Sequence, residues 1–119
     1  MRVEKFKVIQ FIRELLLMID KNMDSFPKKD IELKERIRKN SYDILELVYE
    51  ANTASEIVYK KKLLLKVLAK VKVIDFLLNL SYDKQIITEK KYYKFGNKME
   101  DIVKYLNGWL KQLNSTSVG

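Results

Sequence analysis

Lysines and carboxylates are the side chains that could do chemistry in this sequence, because it contains no histidine and no cysteine. That absence excludes thiol nucleophiles, imidazole bases, disulfides and most zinc or iron ligand sets. Glu46 and Glu50 lie one helical turn apart, as in dimetal bundles, but those sites also need a Glu-x-x-His motif on two helices. The three glycines are too far apart for a phosphate-binding loop. We therefore predict no catalytic site, no metal site, no cofactor and no enzymatic activity.

The lysines are concentrated in the second half of the chain. Residues 1–59 contain 11 Lys/Arg and 11 Asp/Glu, whereas residues 60–119 contain 13 and 5, so the second half holds the whole net charge of +8. Dense positive charge favours a polyanionic partner, since phosphates relieve the repulsion and release counterions. We predict nucleic-acid contacts from Lys60, Lys61, Lys62, Lys66, Lys70, Lys72, Lys90, Lys91, Lys94 and Lys98.

The spacing of these lysines predicts an outward basic surface. Lys62 with Lys66, and Lys90 with Lys94, are one-turn neighbours opposite the apolar positions of their helices, and Lys70 and Lys98 continue the same pattern. The same residues also fit two other interpretations, a solvated surface that confers solubility and a surface paired with the carboxylates of another subunit.

Four segments with helical periodicity must position these side chains. Apolar residues recur at spacings of three and four over about residues 3–25, 31–52, 55–80 and 88–113. Pro27 is expected to end the first helix, and Asp30 and Thr88 are expected to cap the second and fourth. Short connections favour antiparallel neighbours. We predict an all-α protein with one up-down-up-down four-helix bundle over residues 1–113 and a flexible tail at 114–119.

The third segment carries two apolar stripes rather than one. Its first stripe, at Leu64, Val67, Val71, Ile74 and Leu78, forms a heptad seam that should face the bundle. A second stripe lies roughly 150° around the helix, at 100° per residue. Because an apolar stripe is unfavourable in water, we predict a stable homo-oligomer. The predicted interface residues are Val58, Leu65, Ala69, Phe76 and Leu80.

The aromatic residues near the fourth segment divide into two sets. Tyr92, Phe95 and Trp109 fall on its apolar seam and are expected in the core. Tyr82, Tyr93 and Tyr105 lie off the seam, where they are available to stack on bases or to contact another subunit.

No stretch of the sequence reaches the roughly 18 to 20 apolar residues that a membrane-spanning helix needs. The N-terminus contains Glu4, Lys5 and Lys7, so it has no signal-peptide core. We therefore predict a cytoplasmic protein without a membrane partner.

Three segments of the sequence carry a family resemblance. They are Phe26-Pro27-Lys28, Asp43-Ile44-Leu45-Glu46-Leu47-Val48-Tyr49-Glu50-Ala51-Asn52 and Asp101-Ile102-Val103-Lys104-Tyr105-Leu106-Asn107-Gly108-Trp109-Leu110-Lys111. Together they resemble the four-helix-bundle family that includes Avd, the accessory variability determinant of diversity-generating retroelements, and the 23S ribosomal RNA intervening-sequence proteins. The second and third segments are more similar to the Avd branch.

The resemblance to the Avd branch implies a ring-like homopentamer that joins the retroelement's reverse transcriptase to its template nucleic acid, RNA or an RNA–DNA hybrid. Such a protein supports mutagenic reverse transcription without doing chemistry itself. Resemblance to the intervening-sequence branch implies a structural role limited to self-assembly. Genomic neighbourhood separates the two: a reverse-transcriptase gene beside template and variable repeats indicates the first, and a reading frame within a ribosomal RNA gene indicates the second.

Overall fold

The computed structural model describes the backbone of residues 3–118 and the side chains of residues 5–115. It contains four helices, α1 (Val3–Lys21), α2 (Ile31–Thr53), α3 (Ile57–Asp83) and α4 (Glu89–Val118), and two short 3-10 turns, Met23–Ser25 and Lys28–Asp30. No strand occurs within residues 3–118. The predicted all-α four-helix bundle is therefore confirmed.

Each helix packs against the helices that precede and follow it, and α4 closes the bundle by packing on α1. The α2–α3 and α1–α4 contacts are the most extensive, and the α1–α2 contact is the smallest. Short connections cannot cross the length of the bundle, so consecutive helices run antiparallel. The result is an elongated molecule of 52 × 23 × 19 Å.

The core consists of the apolar positions that the three-four spacing predicts. The fully buried residues include Val8, Ile12, Leu15 and Ile19 on α1, Ile37, Ile44 and Val48 on α2, Leu64, Val67, Ile74 and Leu78 on α3, and Phe95, Ile102 and Leu106 on α4. Trp109 is also buried, whereas Tyr92 is half-buried at the edge of this core. Burying aliphatic and aromatic side chains from all four helices is the main source of stability.

The corner between α1 and α2 differs from the sequence prediction. Helix α1 ends at Lys21 instead of Ser25, where the Asn22 side-chain amide donates to the Met18 carbonyl at 2.7 Å. Pro27 therefore does not end α1 but precedes the second 3-10 turn. Asp30 does stand before α2, yet its side chain makes no capping hydrogen bond. It instead forms a 3.0 Å ion pair with Lys84, which joins the two linkers at one end of the bundle.

Helix α3 begins two residues later and ends three residues later than the spacing predicts. Gln85 closes it in the left-handed region, with φ 63°, and the Ile86 amide donates to the Ser81 carbonyl at 2.9 Å. The predicted cap of α4 is confirmed, because Thr88 Oγ1 accepts from the Lys91 amide at 3.2 Å. Residues 114–118, predicted as a flexible tail, continue α4, and residue 119 lies outside the described residues.

The helices within the described residues fall short of what a membrane span requires. None combines sufficient length with sufficient apolar character to cross a bilayer.

Candidate interaction surfaces

The first half of α3 presents lysines without any carboxylate among them. Residues 57–74 contain six lysines and neither Asp nor Glu. Lys62, Lys66 and Lys72 are exposed, and Lys60 and Lys61 are half-buried. These five residues are called the α3 lysine group below. They lie on a stretch of α3 that contains no carboxylate of its own, which concentrates positive charge there.

Lys70, the sixth lysine of this stretch, is used inside the bundle. Its Nζ lies 3.2 Å from Asp43 Oδ2 and 3.3 Å from Asn40 Oδ1, so it links α3 to α2. Burial alone would raise the pKa of Asp43, but hydrogen bonds from Lys39 and Lys70 outweigh it and lower that pKa. The sequence prediction placed Lys70 on the outward surface, and the structure corrects this because its side chain is only 34% exposed.

Lys98 has a similar structural role on α4. Its ammonium group pairs with Glu14 of α1 and lies 4.9 Å from the centre of the Phe11 ring. The hydrogen bond from Lys98 is the main reason that the pKa of Glu14 is lowered. Lys98 is 20% exposed, so the predicted outward position is wrong for this residue as well.

The first turns of α4 carry the second surface group of lysines. Lys90, Lys91 and Lys94 are exposed, and Tyr93 between them is 61% exposed. These three lysines are called the α4 lysine group below. The charge there is less uniform than on α3, because Glu89 begins the same helix.

Two further tyrosines lie next to the α4 lysine group. Tyr82 and Tyr92 stack with their ring centroids 5.5 Å apart and their planes 4° from parallel. The Tyr82 hydroxyl donates to Glu89 at 3.2 Å, and this hydrogen bond raises the pKa of Tyr82. Tyr92 is fixed as well, because the Asn79 amide donates to its hydroxyl oxygen at 3.1 Å. Tyr93, outside this pair, keeps its ring available at the surface.

The outer members of the two lysine groups lie near opposite ends of the bundle. Lys62 is close to the start of α3, whereas Lys90 follows the linker at the end of α3. At a rise of about 1.5 Å per residue, the two are separated by roughly 30 Å along the bundle axis. Lys72, farther along α3, lines the groove between α3 and α4 together with Tyr93, so the two groups approach each other there.

The second apolar stripe of α3 lies on the outside of the bundle. Val58, Leu65 and Phe76 are 69%, 57% and 64% exposed. Ala69 is exposed too, while Leu80 is half-buried. We call these five residues the α3 apolar stripe. An unpartnered apolar row of this length is typical of an interaction surface.

Other surface features were not found from the sequence. The outer face of α2 exposes Ile31, Tyr42 and Tyr49, and Val73 extends the outer face of α3. Their helical spacing was visible in the sequence, but they were not separated there from ordinary surface residues. The role of Lys84 was not visible in the sequence either, because it depends on the ion pair that Lys84 makes with the distant residue Asp30.

Two open grooves lie on the surface. One of about 480 Å³ is lined mainly by α1, with Phe6, Arg13 and Leu17 among its residues. Another of about 550 Å³ lies between α3 and α4 and includes Tyr93 and Gly96. Within the described residues, no group of three or more Asp and Glu side chains is placed to hold a metal ion.

The comparisons with known proteins agree with this all-helical bundle. A family model described as bAvd-like matches residues 3–113, which include all of α1, α2 and α3 and most of α4. A search of curated proteins found no match. Because the family model matches nearly the whole length of the sequence, the chain belongs to the bAvd-like family.

Proposed function

We propose that this protein is a non-enzymatic accessory subunit of a diversity-generating retroelement. In this role it assembles as a ring-like homopentamer in the cytoplasm and joins a reverse transcriptase to RNA or an RNA–DNA hybrid. The bAvd-like match over residues 3–113 is the observation that carries the proposal. A protein without histidine, cysteine or a phosphate-binding loop is also suited to binding rather than to chemistry.

The α4 lysine group is the best-placed surface for nucleic acid. Lys90, Lys91 and Lys94 offer mobile cations for the phosphate backbone, and Tyr93 offers an exposed ring for a base. Proteins that bind single strands without sequence preference combine these two elements. These lysines would contact the phosphate groups rather than the base edges, so little preference among nucleotide sequences is expected.

Cyclic symmetry repeats the α4 lysine group around the proposed ring, so a strand that follows the assembly meets several basic surfaces in succession. Affinity should therefore exceed that of one protomer by avidity. The α3 lysine group adds only long-range electrostatic attraction, because it borders the α3 apolar stripe.

A salt titration tests the nucleic-acid part of the proposal. The binding of a fluorescent single-stranded RNA is measured by anisotropy for the wild-type protein and for a variant with Lys90→Glu and Lys94→Glu. We expect a loss of affinity of about 10- to 100-fold at low salt. The slope of log affinity against log salt should become shallower by about one to two, since each lost phosphate contact removes about one counterion.

A matched control lies on the same helix. Lys104, midway along α4, and Lys111, in its second half, are exposed, and replacing both with Glu changes the net charge by the same amount. We expect this control to lose less than about threefold, because only the screened long-range attraction changes. Equal losses in both variants would show that total charge, rather than the α4 surface, governs binding.

The reverse-transcriptase part is tested by co-expression with any reverse transcriptase that is encoded beside this gene. Co-purification of the two proteins is expected after nuclease treatment, because the contact is between proteins. Absence of a reverse-transcriptase gene from the neighbourhood, with this reading frame inside a ribosomal RNA gene, would favour the alternative. That alternative is an intervening-sequence protein that only self-assembles, and the exposed α3 apolar stripe supports self-assembly in either case.

A further inference from the structure

Two outer faces of the bundle expose apolar side chains with matching spacing. On α2, the exposed residues Ile31, Tyr42 and Tyr49 are separated by 11 and then 7 residues. On α3, the exposed residues Val58, Leu65 and Phe76 are separated by 7 and then 11 residues. The second pattern is the first one reversed.

Reversal is what an antiparallel contact requires. If the two faces meet with their helices antiparallel, Ile31 lies opposite Phe76, Tyr42 opposite Leu65 and Tyr49 opposite Val58. We propose that the outer face of α2 in one copy of this chain docks on the α3 apolar stripe of the next copy. This inference rests on the homo-oligomer of the proposed function and names its two contacting surfaces.

Charge complementarity supports the same pairing. In the register above, residues 40–50 on α2, with three carboxylates and no Lys or Arg, face residues 57–67 on α3, with four lysines and no carboxylate. Glu46 lies beside Lys62 in this register. Both side chains are exposed, and neither has an ion-pair partner within the described part of the chain. Arg38 lies opposite Ala69, whose small side chain leaves room for it.

The register also places neighbouring copies at nearly the same level along the bundle axis. Within one protomer, Asn40 of α2 contacts Lys70 of α3. In the proposed contact, Asn40 of the next copy would lie at the level of Val67, three residues away. That offset is about 4.5 Å, which is less than one helical turn. A small offset allows a closed ring, because a large rise between copies would instead build a helical filament.

In the proposed ring the contact is head-to-tail, because each copy presents the outer face of α2 to one neighbour and the α3 apolar stripe to the other. Every copy points the same way along the bundle axis, which makes α2 of one copy antiparallel to α3 of the next. A two-fold dimer would make the same pairing twice and stop at two copies, so a dimeric mass in light scattering would contradict the ring.

Disulfide trapping tests the pairing directly, since the chain has no native cysteine. A chain carrying Tyr42→Cys is co-expressed with a chain carrying Leu65→Cys, with tags of different mass, and the complex is oxidised. Non-reducing electrophoresis should show the mixed dimer as the main cross-linked species. Tyr49→Cys with Val58→Cys should behave in the same way and serves as a second pair if the first variant fails to fold.

A register control uses the same surfaces. Tyr42→Cys combined with Phe76→Cys is displaced by 11 residues, or about 16 Å, which exceeds the reach of a disulfide. We expect at least about tenfold less mixed dimer from this pair. Equal cross-linking of the matched and displaced pairs would overturn the proposed register.

A charge exchange tests the pairing without cysteines. Glu46→Lys alone should weaken assembly about tenfold or more, and adding Lys62→Glu to the same chain should restore it, as measured by light scattering across concentration. Failure of the second substitution to restore assembly would contradict the Glu46–Lys62 pairing.

Two failures can be told apart. A wild-type protein that is monomeric at micromolar concentration would overturn both this inference and the homo-oligomer of the proposed function. If the wild-type protein is an oligomer but chains carrying Leu65→Cys cross-link mainly with each other, only the proposed α2–α3 contact is overturned.

Discussion

The two lysine groups have similar composition but different surroundings. The α3 lysine group flanks a row of exposed aliphatic and aromatic side chains on a helix stretch without carboxylates. The α4 lysine group surrounds one exposed tyrosine ring above a stacked tyrosine pair. The first surface resembles a protein contact, with apolar area at its centre and charge at its rim. The second resembles a surface for single-stranded nucleic acid, with a cationic track and a stacking ring.

This difference shows that positive charge by itself does not identify a partner. Lys62 beside Leu65 can select a carboxylate on another protein, because apolar contact supplies the affinity and charge supplies the register. Lys90 beside Tyr93 has little apolar area to bury, so a phosphate backbone is the better partner for it. Lys70 and Lys98 form a third class, since they already pair with Asp43 and Glu14 inside the protomer.

The largest expected effect comes from breaking the α3 surface. Leu65→Glu together with Phe76→Glu would place two unpaired carboxylates at the centre of the subunit contact, which is strongly unfavourable once water is excluded. We expect the dissociation constant of the oligomer to rise about 100-fold or more, measured by analytical ultracentrifugation. Leu17→Glu on α1, at a residue of comparable exposure, is the control and should leave assembly intact.

The next largest effect separates the paired lysines from the surface lysines. Lys70→Met leaves Asp43 half-buried with Lys39 as its remaining partner, so we expect a loss of about 1–2 kcal/mol of unfolding free energy. Lys72→Met, at an exposed lysine without an ion pair in the described chain, should change it by less than about 0.5 kcal/mol. Urea unfolding measures both. A similar loss in the two variants would remove the distinction between paired and surface lysines.

The effect of pH on the stability difference between wild type and Lys70→Met has a definite direction. The pKa of Asp43 is lowered in the folded protein, so its ion pairs contribute stability above its ordinary value of 3.8. That contribution is lost as pH falls through the lowered pKa. The stability difference between wild type and Lys70→Met should therefore be constant near neutral pH and shrink below about pH 3.8. A difference that grows on acidification would contradict the role of Lys70 as the partner of Asp43.

A smaller effect sharpens the description of the α4 surface. Tyr93→Ala removes the exposed ring while leaving Lys90, Lys91 and Lys94 in place. Since stacking on one aromatic ring contributes about 1–3 kcal/mol per base, we expect RNA affinity to fall about tenfold with an unchanged salt slope. Tyr59→Ala beside the α3 lysine group is the matched control, and it should change affinity less than about twofold. A reversed order between the two tyrosines would assign the nucleic acid to α3.

The sequence predicts the helices well because each of them has a strongly periodic apolar face. Val8, Ile12, Leu15 and Ile19 must share one side of any helix, so their burial follows from spacing alone. Helix ends are less certain, since they depend on single hydrogen bonds. Asn22 ends α1 before Pro27, and Asp30 pairs with Lys84 instead of capping α2.

The surface could be predicted only in part, because its chemistry depends on which helices are adjacent. Lys62 and Lys70 are eight residues apart on α3, yet only Lys70 faces the Asp43 carboxylate of α2. Likewise, nothing local distinguishes Lys94 from Lys98 before α1 brings Glu14 to the latter. Pairing across helices is a tertiary property, and periodicity within one helix does not determine it.

The smallest expected effect concerns Gly96, which lies one turn after Tyr93 and has no atom within 4 Å of the position that a Cβ would occupy. Glycine inside a helix is about 0.5–1 kcal/mol less favourable than alanine. Gly96→Ala should therefore raise the melting temperature by about 2–5 °C, measured by circular dichroism. Oligomer size and RNA affinity should not change. If RNA affinity falls while stability rises, the backbone at Gly96 is part of the nucleic-acid surface, and the α4 site extends beyond Tyr93.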